Sequence, residues 1–134
     1  MDSRRICVDS DVVIDYLRGK NRFQDVLPSA IEKYGCYIAP LSAYELYYGG
    51  YYSGRLNEVE DVLDLLMLLD CPRASIRKSA EIHAKLSKAG NSLDVKDILV
   101  AGTCIYFNLP LLTRNIEHFR RIEELSLVDV DALL

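Results

Sequence analysis

Short apolar runs alternate along this chain with longer stretches in which apolar residues recur every three or four positions, and glycine or proline closes most of the segments. A run that is apolar throughout suits a strand buried on both faces, whereas the wider spacing suits a helix with one buried stripe. Strands and helices taken in turn imply an α/β fold with a parallel sheet and right-handed crossovers. Residues 5–8 read as the first strand, and Asp9, Ser10 and Asp11 offer N-cap side chains to a helix over 12–17 that Gly19 ends. A second helix is predicted over 23–34, up to Gly35, and a second strand over 36–39, broken by Pro40. Ser42 and Glu45 then match the Ser-x-x-Glu capping box at a helix start. From Asn57 a helix carries Val59, Val62, Leu63, Leu66 and Leu69 on one stripe, and 68–71 read as a short third strand before Pro72. A helix over 75–88 ends at Gly90, and the Gly90-Asn91-Ser92 turn leads Asp94 and Asp97 into a helix running through Phe107. Residues 109–112 read as the fourth strand, 116–121 as a last helix and 125–128 as an edge strand.

A chain of 134 residues, 50% hydrophobic and 27% charged, buries roughly two-thirds of its unfolded surface, so one domain over 1–134 is expected. Its apolar stretches fall short of the roughly 20 residues that span a bilayer. Residues 1–5 lead into no signal-peptide hydrophobic region, which points to a cytoplasmic protein without membrane contact. Cys7, Cys36, Cys71 and Cys104 stand apart with no CxxC spacing and read as buried free thiols. The net charge of −4 disfavours a protein that grips nucleic acid through bulk positive potential. It leaves nuclease chemistry open, because carboxylates that lower the formal charge also hold metal ions where a phosphate must sit.

Asp9, Glu45, Asp97 and Asn115 each fall where a strand or turn gives way to a helix, and sheets of this kind place their sites at the carboxyl ends of their strands. Each has a purely structural explanation. Asp9 suits an N-cap worth about 1 kcal/mol, Glu45 suits the capping box, Asp97 suits the positive end of a helix dipole, and Asn115 suits a turn. Together they make a cluster of hard oxygen donors, the ligand type Mg²⁺ prefers.

The segments Ile6 through Ile14, Ala39 through Gly49, Asp97 through Thr103 and Leu111 through Phe119 resemble the successive motifs of PIN-domain proteins, most closely the VapC-type toxin ribonucleases. The resemblance covers essentially the whole chain, in order. It implies a three-layer α/β/α sandwich around a mainly parallel sheet of four to five strands. It also implies Asp9, Glu45 and Asp97 as catalytic Mg²⁺ ligands, with Mn²⁺ able to substitute. Asn115 falls where many members carry a fourth acid, and His118 where some carry an acid three residues later. Asp11, Asp94 and Thr113 are outer-shell candidates, while a lone His118 or His83 otherwise reads as a surface or packing residue.

The implied reaction is hydrolysis of an RNA phosphodiester, with the metal lowering the pKa of a water and offsetting charge on the leaving oxygen. Arg114 and Lys96 are the nearest candidates for phosphate contacts, followed by Arg18, Lys20, Arg22, Arg120 and Arg121; solvated surface charge is the plainer reading of each. Members of the family commonly dimerise and are held inactive by a VapB-type antitoxin. Tyr44, Tyr47, Tyr48, Tyr51 and Tyr52 recur on one broad helix face and suit one of those protein contacts. Two other classes compete. A phosphotransfer domain would show a strand-end lysine after its acids, and Lys96 stands on the wrong side for that role. A non-catalytic PIN module that binds protein or RNA would account for the missing fourth acid.

Overall fold

The computed structural model describes residues 4–134; residues 1–3, where the sequence was read for a signal segment, lie outside it. Five strands, β1 (Arg5–Val8), β2 (Gly35–Ile38), β3 (Met67–Leu68), β4 (Leu111–Thr113) and β5 (Leu127–Asp129), form one sheet in the order β3-β2-β1-β4-β5. Every pairing is parallel. The expected mainly parallel sheet is thus wholly parallel and has five strands.

Helices α1 (Ser10–Arg18), α2 (Val26–Lys33), α3 (Pro40–Ser53) and α4 (Leu56–Leu63) cover one face. Helices α5 (Arg73–Lys88), α6 (Val95–Tyr106) and the short α7 (Ile116–Phe119) cover the other. Alternating side chains divide the core accordingly: Ile6, Val8 and Leu112 pack toward the first layer, and Cys7 and Leu111 toward the second. Burial on both faces is why β1 and β4 read as continuous apolar runs. The α5–α6 contact is close enough that a Cβ on Gly102 would lie 1.9 Å from Ser79 Oγ and 3.0 Å from Ser79 Cα.

Several boundaries differ from the sequence reading, each for a local reason. The second helix is two pieces, a 3-10 turn over Arg22–Asp25 and then α2, because Pro28 removes an N–H and crowds the preceding turn. The Asn21 side chain starts the turn by accepting the Phe23 N–H at 2.8 Å. The helix after Asn57 ends at Leu63, and the third strand begins at Met67, where the chain joins the sheet edge beside Tyr37 and Ile38. The fourth strand starts two residues late, after Asn108 turns with φ 56° and Pro110 offers a carbonyl but no N–H. Cys71 is exposed, unlike the other three cysteines, because it sits in the link from β3 to α5.

The strand order fixes where a site can form. From β1 the chain moves to one side through β2 and β3, then returns to place β4 on the other side of β1. Such a reversal opens a crevice at the carboxyl ends of the two central strands.

Candidate active site

The pairing of Val8 with Leu112 places Asp9, the next residue after β1, beside Thr113 at the end of β4. Asp9 is buried and caps α1: one carboxylate oxygen accepts the Ser10 N–H at 2.9 Å, and the other accepts the Thr113 hydroxyl at 2.8 Å. Burial pushes its carboxyl above the usual range, against the opposing pull of Thr113, Lys96 and Ser10. Asp11, in the first turn of α1, accepts the Arg114 N–H at 3.1 Å through Oδ2, while its buried Oδ1 has no partner. Burial first, and the neighbouring Asp9 second, raise its pKa to about 7.

Glu45 reaches the same edge from the second turn of α3. The capping box does not form, because the helix starts two residues before Ser42, at Pro40, whose fixed φ suits the first helical position. Ser42 therefore lies inside the helix with its hydroxyl buried and unpaired. The Glu45 carboxylate instead accepts the Ser10 hydroxyl at 2.6 Å and the Lys96 ammonium at 3.1 Å through each oxygen. Asp97 is buried at the third position of α6, with Lys96 Nζ 3.7 Å from one oxygen and His118 Nδ1 3.8 Å from the other. Burial works against the charge on Lys96, but Glu45, Asp9 and Asp97 together hold its ammonium above the ordinary pKa.

Asn115 precedes α7 without a side-chain cap bond, and its amide nitrogen meets His118 Nδ1 at 2.8 Å. The structure thus brings Asp9, Asp11, Glu45, Asp97, Thr113, Asn115 and His118 to one edge, and leaves Asp94 exposed at the start of α6 with no side-chain cap bond. Both cations nearest the acids are held by carboxylates. Lys96 lies on Glu45, and Nη1 of Arg114 donates to both Asp15 oxygens at 2.9 Å while the guanidinium stacks 4.1 Å from the Phe23 ring. Sequence reasoning missed Ser10 as the partner of Glu45 and Asp15 as the partner of Arg114. The signal for Asp15 was present, since it follows Asp11 by four residues and so shares its helix face.

Among the described residues, no three His, Cys, Asp or Glu side chains converge closely enough to hold a metal ion as they stand. The donor chemistry still suits a hard divalent cation. Asp9, Glu45 and Asp97 offer oxygen, an unpartnered Asp11 oxygen lies beside them, and a positive charge already sits against Glu45 and Asp97.

A wholly parallel α/β sheet with carboxylates gathered around a cation at its switch point defines the class: an α/β protein with an acidic, cation-accepting edge. The chain belongs to the PIN-domain family, whose model matches residues 6–125. It is 31% identical over 121 residues to Ribonuclease VapC10 of Mycobacterium tuberculosis, covering 90% of each chain. It is 28% identical over 127 residues to Ribonuclease VapC1 of Methanocaldococcus jannaschii, covering 94% of this chain and 87% of that one. Its fold is similar to that in the structure of VapBC-1 from nontypeable Haemophilus influenzae, with a TM-score of 0.82 at 16% identity over 95% of this chain and 98% of that one. The family and the three-layer fold expected from the sequence are both borne out.

Proposed function

We propose that this chain is a metal-dependent endoribonuclease, a single PIN domain over 1–134 that hydrolyses RNA phosphodiester bonds as the toxin of a VapBC-type toxin–antitoxin pair in the cytoplasm. The observation that carries the reading is the convergence of Asp9, Glu45 and Asp97 from three elements on one edge, with a cation among them. The relatives' names, ribonucleases VapC, supply the substrate class.

In this reading Asp9, Glu45 and Asp97 hold Mg²⁺ or Mn²⁺, and the ion supplies a water of lowered pKa and positive charge beside the phosphate. Thr113 fixes the Asp9 carboxylate before any ion arrives, while Glu45 is held by Ser10 through one oxygen and by Lys96 through both. Asn115, hydrogen-bonded to His118, presents an amide where a fourth acid would stand and orients a water or the substrate. Asp11 supports the site from behind through its bond to the Arg114 backbone. Asp94, exposed and apart from the cluster, has no part in this reading. Arg114, committed to Asp15, shapes the edge and presents its outer face to RNA.

A VapB-type antitoxin would lie in the cleft between α1, α3 and α4, which begins at Glu45 and is lined by Ile14, Leu17, Leu46, Gly49 and Val59. The exposed rings of Tyr44, Tyr48, Tyr51 and Tyr52 adjoin it on α3 and suit a protein contact, with the antitoxin or in a homodimer. Lys96 held against Glu45 favours one rival, a non-catalytic PIN module in which the lysine permanently replaces a metal.

Cleavage of a mixed pool of structured RNAs, with Mg²⁺ or Mn²⁺ and with EDTA, tests the proposal against an Asp9→Asn control. Metal-dependent cuts absent from the control are expected. A folded protein whose Mn²⁺ binding is no stronger than that of Asp97→Asn would sink the metal site and leave the non-catalytic module.

A further inference from the structure

We infer that Lys96 is the built-in cation of the metal-free site, displaced from Glu45 by the divalent ion and released toward the RNA phosphate; this rests on the metal-dependent reading above. Lys96 Nζ lies 3.1 Å from both Glu45 oxygens and 3.7 Å from Asp97 Oδ1. Glu45 Oε1 also accepts the Ser10 hydroxyl at 2.6 Å. Oε1 is therefore filled by two donors and Oε2 keeps one lone pair open, so an ion taken up by Glu45 would stand beside the lysine unless the lysine leaves.

Coexistence is opposed by charge. An ion coordinated by a Glu45 oxygen at about 2.1 Å would stand within roughly 5 Å of the ammonium in its present place, where like charges in a partly dry site repel strongly. The lysine has an exit. It occupies the second position of α6 on a flexible four-carbon stem, and about a third of its side chain is already open to solvent. Rotation about that stem moves the charge out along the carboxyl edge without moving the helix, to the side from which a phosphodiester approaches. The same exchange explains why no three ligands converge as they stand: the lysine, not an ion, sets the position of Glu45.

Metal loading and substrate binding are thereby coupled, since the ion that fills the site also frees a cation for the phosphate. The test is Mn²⁺ affinity of the full chain at pH 8, read from the electron paramagnetic resonance of free Mn²⁺, for the parent protein, Lys96→Met and Asp97→Asn. Lys96→Met is expected to bind about tenfold more tightly, the scale of one lost ion pair in a partly buried site, and Asp97→Asn to lose binding. A second measurement needs no variant: labelling of Lys96 by an amine-reactive reagent, followed by mass spectrometry, should rise severalfold on saturation with Mn²⁺. Equal or weaker binding by Lys96→Met, or unchanged labelling at saturation, overturns the exchange while leaving the metal site intact, provided Asp97→Asn still loses affinity. No Mn²⁺ binding by the parent protein or by Lys96→Met overturns both the exchange and the metal-dependent reading.

Discussion

Replacing Thr113 by valine isolates the one hydroxyl that ties the two central strands together at the site. Thr113 is fully buried, donates to Asp9 at 2.8 Å and accepts the Asn115 N–H at 2.9 Å. Valine keeps the branched shape and removes both bonds, together with the longer 3.3 Å contact of the hydroxyl with Asp11 Oδ2. A hydrogen bond to a charged group is worth about 1.5–3 kcal/mol and a neutral one about 0.5–1.5 kcal/mol, so the loss should be about 2–4 kcal/mol in metal-free protein. Against a typical domain stability of about 5–15 kcal/mol, the variant still folds. Burial already raises the Asp9 carboxyl above its unfolded pKa of 3.8, and the Thr113 bond lowers it. Without that bond the native pKa rises further, so the folded variant takes up a proton earlier as the pH falls. The cost should therefore be greater at pH 8 than at pH 4.5, because the bond favours the ionised carboxylate and holds its pKa down. Urea unfolding in EDTA at the two pH values measures it. A cost below about 1 kcal/mol at pH 8, or one that grows on acidification, would refute the assigned bond.

Gly102→Ala should destabilise by about 3 kcal/mol, because the new methyl meets Ser79 Cα at 3.0 Å and the two helices must part; an unchanged calorimetric melting temperature would contradict this. Arg114→Met leaves the buried Asp15 carboxylate with only the Asn21 amide donating to it at 3.3 Å and should cost about 2–3 kcal/mol, below the range for fully buried pairs because the guanidinium is partly exposed. Adding Asp15→Leu should recover most of that loss in denaturant melts, and failure to do so would show that stacking on Phe23 matters more than the charge pair. Asp11 has a folded pKa of about 7 against 3.8 unfolded, so between those values the native state holds the extra proton and stability falls as pH rises. Asp11→Asn should flatten that decline in metal-free protein, and parallel stability curves for the two proteins across pH 4–8 would rule the assignment out.

The sheet was legible because β1 and β4, buried on both faces, had to be apolar throughout, and because Gly19 and Gly90 marked helix ends by their positive φ. Asp9 was legible because it follows a buried strand and opens a helix at the carboxyl end of the sheet, where a cap and a site both call for a carboxylate. Glu45 was harder, because Ser42 and Glu45 fit a capping box by spacing alone. Pro40 was the stronger signal, since it prefers the first turn of a helix and moves the N-cap from Ser42 to Ala39, three residues earlier. The pairs Ser10–Glu45 and Arg114–Asp15 join residues 35 and 99 positions apart, and spacing along the chain says nothing about such contacts. His118 read as a packing residue until α7 folded back and set it 3.8 Å from Asp97.

The bond between Asp9 and Thr113 spans 104 positions. At a synthesis rate of roughly 5–20 residues per second, about 5–20 s pass between the appearance of the first partner and that of the second. Through that interval β1 has no neighbour on its β4 side, Thr113 does not yet exist, and Asp97 is added only near its end. A nascent chain cannot carry the acid edge until the segment through Thr113 has been made, so order of synthesis alone delays any chemistry of the site until that strand follows β1 out of the ribosome.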